Sequence, residues 1–270
     1  MGEREREAVI ALSLTCIFMA AAVGRARQAL WRLGHDRLGG VQVSTGVKSQ
    51  GVFGALVGRA SSATLTMKGG RLEQFRLPYV ESVRVPALIR RVELRWADVT
   101  IGRFGRLQAR AAISDVMLDG ESVVWEADAR VRGHARGEAV VTATAADLAL
   151  EVEHRLPSAR SVQVALLDGH VVLRALAGGA AQPITATARL QVAENAVYIA
   201  DVHAWQGGMA LLPAMSNAIA SAVNPVFRLA DFPALGDGFV LRDVAVGEGV
   251  ARLVLDIRPR SRAALRQEDK

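Results

Sequence analysis

The chain has 270 residues, 51% hydrophobic and 22% charged, with a formal net charge of +6 at pH 7. That composition supports a real core and leaves disorder to the ends, and the lone cysteine, Cys16, excludes a disulfide framework or a CxxC zinc site. Its cations are nearly all Arg and alternate with acids, as in RVELRWADV and WEADARVR; this is a solvated sheet face, not the basic run with interleaved aromatics of a nucleic-acid binder, and the positive balance favours an anionic membrane surface as partner.

Ala8 to Val23 is an uncharged apolar run, shorter than the roughly 20 residues that span a bilayer comfortably. Small residues at Ala20, Ala22 and Gly24 could satisfy an A-x-A-like cleavage site, so residues 1–24 read as a signal peptide or N-terminal membrane anchor. Arg25, Arg27, Arg32 and Arg37 follow, which by the positive-inside rule would keep the rest cytoplasmic. The shortness of the run and its small-residue end favour export to the cell envelope, periplasmic or on the outer face of the cytoplasmic membrane, with residues 8–23 able to anchor the chain. Residues 25–40 read as an amphipathic connector, with Leu30, Trp31 and Leu33 dipping into a membrane surface while the arginines meet phosphates.

Beyond the connector the pattern has period two. Val92, Leu94 and Trp96 oppose Glu93 and Arg95; Val123, Trp125, Ala127, Ala129 and Val131 oppose Glu126, Asp128, Arg130 and Arg132; Ile184 to Val192 alternates likewise. This is the signature of antiparallel sheet with one dry and one wet face. Turn signals at Gly69-Gly70, Asp119-Gly120, Asp168-Gly169, Glu194-Asn195 and Gly247-Glu248-Gly249 predict hairpins.

Three helices interrupt the strands. Val52 to Val57 within GVFGALVGRASS is a short candidate. A second starts near Thr144, which with Asp147 forms a capping box; Leu148, Val152 and Leu156 line one face, Glu151, Glu153, His154 and Arg155 point mostly outward, and Pro157 stops it. The third, about Leu212 to Val223, carries an apolar stripe of Leu212, Met215, Ile219 and Val223 opposite Ser216, Asn217, Ser221 and alanines, and no Asp, Glu, Lys or Arg occurs between Asp201 and Arg228. Pro213, Gly207-Gly208 and Asn224-Pro225 argue against a membrane span there and for a buried helix. The second and third helices each precede a hairpin, a helix-plus-hairpin repeat within one domain of residues 41–257; the charged tail 258–270 reads as disordered.

No HExxH, phosphate-loop, GxSxG or dinucleotide fingerprint is present, and the histidines show no metal-ligand spacing. His203 and Asp201 are same-face neighbours more readily read as structural than catalytic. The expected protein is therefore no enzyme and needs no cofactor.

The stretches VQVSTGVKSQGVFGALVGRASSATLTMKG, RLPSARSVQVALLDGHVVLRALA and NPVFRLADFPALGDGFVLRDVAVGEGVARLVLDI, taken with the leader, resemble the LmeA-like bacterial phospholipid-binding family, whose fold is similar to tubular (TULIP-like) lipid-binding domains. The likeness spans most of Val41 to Ile257 and rests on the order and spacing of apolar positions, glycines and prolines. It implies an exported phospholipid-binding protein with a role in lipid transfer or envelope maintenance. The implied fold is α+β, mainly β: a curved antiparallel meander sheet packed with two or three helices around an elongated apolar groove.

Within that reading, candidate acyl-chain contacts are Trp125, Trp205, Met209, Leu212, Met215, Ile219, Val223 and Phe227, with methionines adapting to mixed chains. Phe53, Leu56 and Val57 would form an apolar lip, and Lys48 and Arg59 would meet the headgroup phosphate. The rival expectation is a membrane-tethered structural or assembly module that binds another protein through a sheet edge.

Overall fold

The structure, a computed structural model, describes residues 21–50, 59–72, 79–80, 85–101, 104–132, 136–177, 181–232 and 238–257. In chain order, helix α1 (21–32) runs into a π-helical turn, Leu33–Arg37. Then come β1 (Gly40–Ser49), β2 (Arg59–Leu72), β3 (Tyr79–Val80), β4 (Pro86–Ile101), β5 (Phe104–Asp119), a second π-helical turn (Ser122–Glu126), β6 (Val131–Arg132) and β7 (Arg136–Thr144). Helix α2 (Ala145–Arg155), β8 (Ala159–Leu167), β9 (His170–Ala177), β10 (Ile184–Ala193), β11 (Ala196–Gln206) and β12 (Met209–Ala210) follow. The chain continues with α3 (Pro213–Val223), β13 (Phe227–Arg228), a 3-10 turn (Leu229–Asp231), β14 (Phe239–Gly247) and β15 (Val250–Ile257).

The class is α+β, mainly β. The strands form two sheets: a nine-stranded one with the main order β1-β2-β4-β5-β7-β15-β14, and a six-stranded one with the order β12-β11-β10-β9-β8. Most neighbours are antiparallel, but β2 pairs parallel with β4, Arg59 beside Leu88 and Leu72 beside Ile101. The expected turn at Gly69-Gly70 is absent, and this is why. Both glycines lie inside β2 with positive φ, the Trp96 indole donates to the Gly69 carbonyl at 2.9 Å, and any Cβ on Gly70 would collide with the Gly39 carbonyl. The chain leaves β2 at Leu72 and has to travel back before β4 can begin beside the start of β2.

The main core lies on one face of the larger sheet. In β4, Val92, Leu94 and Trp96 are buried as their alternation predicts, while Glu93 bonds Arg91 and Arg95 at 2.9 and 3.0 Å on the other face. Helix α1 lays Ala29 and Leu30, with Leu33 of the following turn, into this core. Leu30 and Leu33 thus pack on the sheet instead of on a membrane, each contributing about 1.5–3 kcal/mol as buried leucines do. The segment read as an amphipathic connector is amphipathic, but its apolar residues, recurring at the spacing one helix face requires, are used by the sheet.

The stretch from Val123 to Val131 is not the continuous strand its alternation suggests. Residues 120–126 are helical, Ala127 is left-handed at φ 51°, and only Ala127, Ala129 and Val131 keep the inward alternation.

A second core joins α2 and the smaller sheet. Leu148 and Val152 meet Val162, Leu166 and Val171, together with Val223 of α3 and Ala251 of β15. The Thr144 cap is as expected: its backbone N–H donates to Asp147 Oδ2 at 2.8 Å, and the Asp147 N–H donates to Thr144 Oγ1 at 3.3 Å. Glu151, expected to point outward, is buried and accepts from Arg155 at 2.8 Å. The two hairpins of the proposed repeat fall in different sheets and meet at their tips: the Gly169 N–H donates to the Val246 carbonyl and the Gly249 N–H to the Leu166 carbonyl, each at 2.9 Å. Both glycines have φ 73°, the conformation these turns demand.

Candidate functional site

At one end of the larger sheet a cavity of about 320 Å³ opens on its apolar face, lined by described residues. Ala22, Val23 and Ala26 of α1 form one wall; Val47 and Ser49 of β1, Arg59 and Ala60 of β2, and Pro86, Ala87 and Ile89 of β4 form another. Leu118, Gly120, Val123 and Val124 close it. The volume falls at the lower end of the range used to hold small ligands, and the polar groups are confined to Ser49 and Arg59.

The second π-helical turn shapes the rim. The Gly120 N–H donates to the Val85 carbonyl at 2.7 Å and Ser122 Oγ to the Asp119 carbonyl at 2.9 Å, while Arg32 of α1 donates to the Glu126 carbonyl at 2.8 Å. Ser122 and Val123 are thereby buried and Val124 and Trp125 turned outward.

Behind this mouth, three narrow apolar voids of about 30, 50 and 40 Å³ continue inward. They share walls in series. Ile89 and Leu118 line both the mouth and the first void, Leu94 the first and second, and Ile101, Val141 and Leu255 the second and third. The last lies between the two sheets and is nearly filled by Phe104, Phe227 and Phe232, with the last two stacked at 4.7 Å between ring centroids. Each inner void has room for about a water's share of volume or slightly more, but its lining is almost wholly apolar, and an apolar void gives a water no partners.

The sequence-predicted contacts distribute unevenly. Phe227 lines the innermost void and Val223 is fully buried in the second core. Trp125 is 77% exposed in the turn, next to Val124, and does not line the cavity. Met209 and Leu212, 75% and 70% exposed, and Met215 lie on the surface at the start of α3, and Ile219 and Trp205 are half-buried. Helix α3 buries Ser216 and Val223 because its inward face is rotated from the stripe of largest side chains; Asn224 fixes that rotation, its amide accepting from the Ile199 N–H at 2.6 Å and donating to the Ile199 carbonyl at 2.9 Å. These residues of β11, β12 and α3 therefore form no wall of the cavity.

Of the headgroup pair, Arg59 stands at the mouth. Lys48 is exposed and alternates with the lining residues Val47 and Ser49, so it points to the opposite face of β1. Phe53, Leu56 and Val57, with the helix expected from Val52 to Val57, lie outside the described residues. Asp201 sits left-handed at a bulge of β11 and His203 packs beside Trp205 at 6.5 Å, so the two are out of phase.

Sequence reasoning missed the alanines. Ala22 and Ala26 were read as leader and connector, and Ala60 and Ala87 were not singled out. The available signal was small residues gathered at neighbouring strand ends, where Ala60 pairs with Ile89 and Ala87 with Leu118. Among the described residues no helix is long and apolar enough to cross a membrane, and no group of three His, Cys, Asp or Glu side chains could hold a metal. The chain matches no family model, no curated protein and no solved structure.

Proposed function

We propose that this chain is a non-enzymatic phospholipid-binding protein of the cell envelope that holds an acyl chain in the mouth cavity and serves lipid transfer or envelope maintenance. The observation that carries the reading is the cavity of about 320 Å³, apolar on its walls and continued by an apolar seam, with Arg59 and Ser49 at its opening. Each methylene taken from a bilayer forfeits about 0.8 kcal/mol unless an equally apolar surface receives it. Alanines opposite leucine and isoleucine supply that surface and leave the space. A guanidinium at the opening suits a phosphate, which it can bind through two parallel hydrogen bonds.

The reading favours a retained leader as anchor. Ala22 and Val23 line the cavity, so cleavage after Ala22 or Gly24 would remove part of its wall. The rival, a module that binds through a sheet edge, finds an edge strand at β1 but needs no cavity.

The test is the full chain purified from membranes, with bound lipid measured by native mass spectrometry and extraction. Wild type is expected to carry phospholipid. Ala60→Trp, which fills the mouth at a packing cost of about 1–3 kcal/mol, is expected to stay folded and lose most of it. A lipid-free wild type, or equal lipid in both, refutes the proposal.

A further inference from the structure

We propose that the rim of the mouth is a bilayer-docking surface, with the side chains of Val85, Val124 and Trp125 entering the headgroup and upper acyl region so that the cavity opens directly against the membrane. Its purpose rests on the lipid-holding reading; its geometry does not.

Exposed apolar side chains scattered singly mean nothing, but Val85 and Val124 both line the mouth and Trp125 follows Val124 in the same turn. Val85 is 57%, Val124 41% and Trp125 77% exposed. Val85 and the turn that carries the other two are joined by the Gly120-to-Val85 bond, and Asp128 donates back to the Ser122 carbonyl at 3.1 Å. The turn is also tied to α1 through Arg32 and the Glu126 carbonyl. An exposed indole on a turn held this firmly presents an apolar body and a polar N–H, the combination that favours the membrane interface.

The occupant is identified by the chain that leads to the rim. Ala22 and Val23 line the cavity, and the sequence immediately before them, from Ala8, is apolar and uncharged. A lipid-seeking segment thus joins the folded part at the rim. Arg25 and Arg27 are exposed one turn further along α1, and Arg59 lines the mouth, so three arginines lie close to the rim; of the acidic residues in and just after the turn, Glu126 and Asp128 are paired with Arg130 at 2.6 and 3.2 Å. Basic charge beside an apolar rim fits an anionic bilayer surface. The exposed Met209, Leu212 and Met215 belong to the β11–β12–α3 region, which makes no wall of the cavity.

The test reconstitutes the full chain into phosphatidylcholine–phosphatidylglycerol vesicles containing lipids brominated near the top of the acyl chain, and reads tryptophan quenching. Wild type should be quenched, Trp125→Phe should lose most of the quenching, and Trp205→Phe should retain it. Quenching of Trp125 should persist in Ala60→Phe, whose ring fills the mouth without adding a tryptophan, because it comes from the bilayer and not from a bound lipid. Quenching that survives Trp125→Phe, that vanishes with Trp205→Phe, or that disappears with Ala60→Phe overturns the docking proposal. Bound lipid in Trp125→Phe, measured separately, judges the cavity: a chain that docks yet carries no phospholipid sinks the lipid-holding reading and leaves the docking surface standing.

Discussion

The mouth and the inner end of the seam lie on the same apolar sheet face and obey the same alternation, yet one is open and the other plugged. At the mouth, Ala22, Ala26, Ala60, Ala87 and Gly120 leave about 320 Å³. At the inner end, Phe104, Phe227 and Phe232 interleave until about 40 Å³ remains. Alternation decides only that a face will be dry. Side-chain size decides whether that dry face is filled by the protein or left for a guest, because interiors are otherwise packed to crystal-like density.

The strongest way to break this contrast is to unplug the inner end. Phe232→Ala removes a buried ring that touches both other phenylalanines, and should destabilise the fold by about 3–5 kcal/mol, read as a lowered melting temperature. Because the voids share walls in series, the variant should also carry phospholipids with longer acyl chains than wild type. Unchanged chain lengths would mean that the seam is not continuous for a guest, and that the mouth acts alone.

The contrast also explains how far the sequence could be read. Alternation located the dry faces of β4 and β10, and the paired Thr144 and Asp147 located the start of α2, since both signals are local. The parallel pairing of β2 with β4 was hidden because Gly69-Gly70 looks like a turn and becomes a close approach only once Gly39 lies against it. The cavity was hidden for a related reason. Large apolar residues such as Met209 and Leu212 were taken as lining, whereas the cavity is made by what is small. Only the pairing of Ala60 with Ile89 and Ala87 with Leu118 turns scattered alanines into a wall.

A gentler perturbation loosens the plugged end and spares the open one. Thr144 caps α2, whose Leu148 lines the innermost void. Thr144→Ala should cost about 1 kcal/mol, with Asp147 keeping its bond from the residue 144 N–H. Amide exchange should quicken in α2 and stay unchanged in α1, and lipid occupancy at the mouth should not move. Equal loosening of both helices would show the two ends to be one cooperative unit, dissolving the distinction between them.

The smallest expected effect comes from the wet face of β4, midway between the ends, and serves as the control. The hydrogen bond from Arg95, and next the charge of Arg91, hold the Glu93 carboxyl below its ordinary value of 4.5. A depressed carboxylate adds stability that is fully present above the unfolded-state value and disappears as pH falls through the folded-state one. Glu93→Gln should therefore melt slightly below wild type at pH 7, and the difference should vanish in acid. The pair is solvent-exposed, so salt should shrink the difference at neutral pH. Neither bound lipid nor Trp125 quenching should respond, since Glu93 faces away from the seam; a change in either would mean that the outer face of the sheet sets the curvature on which the mouth depends.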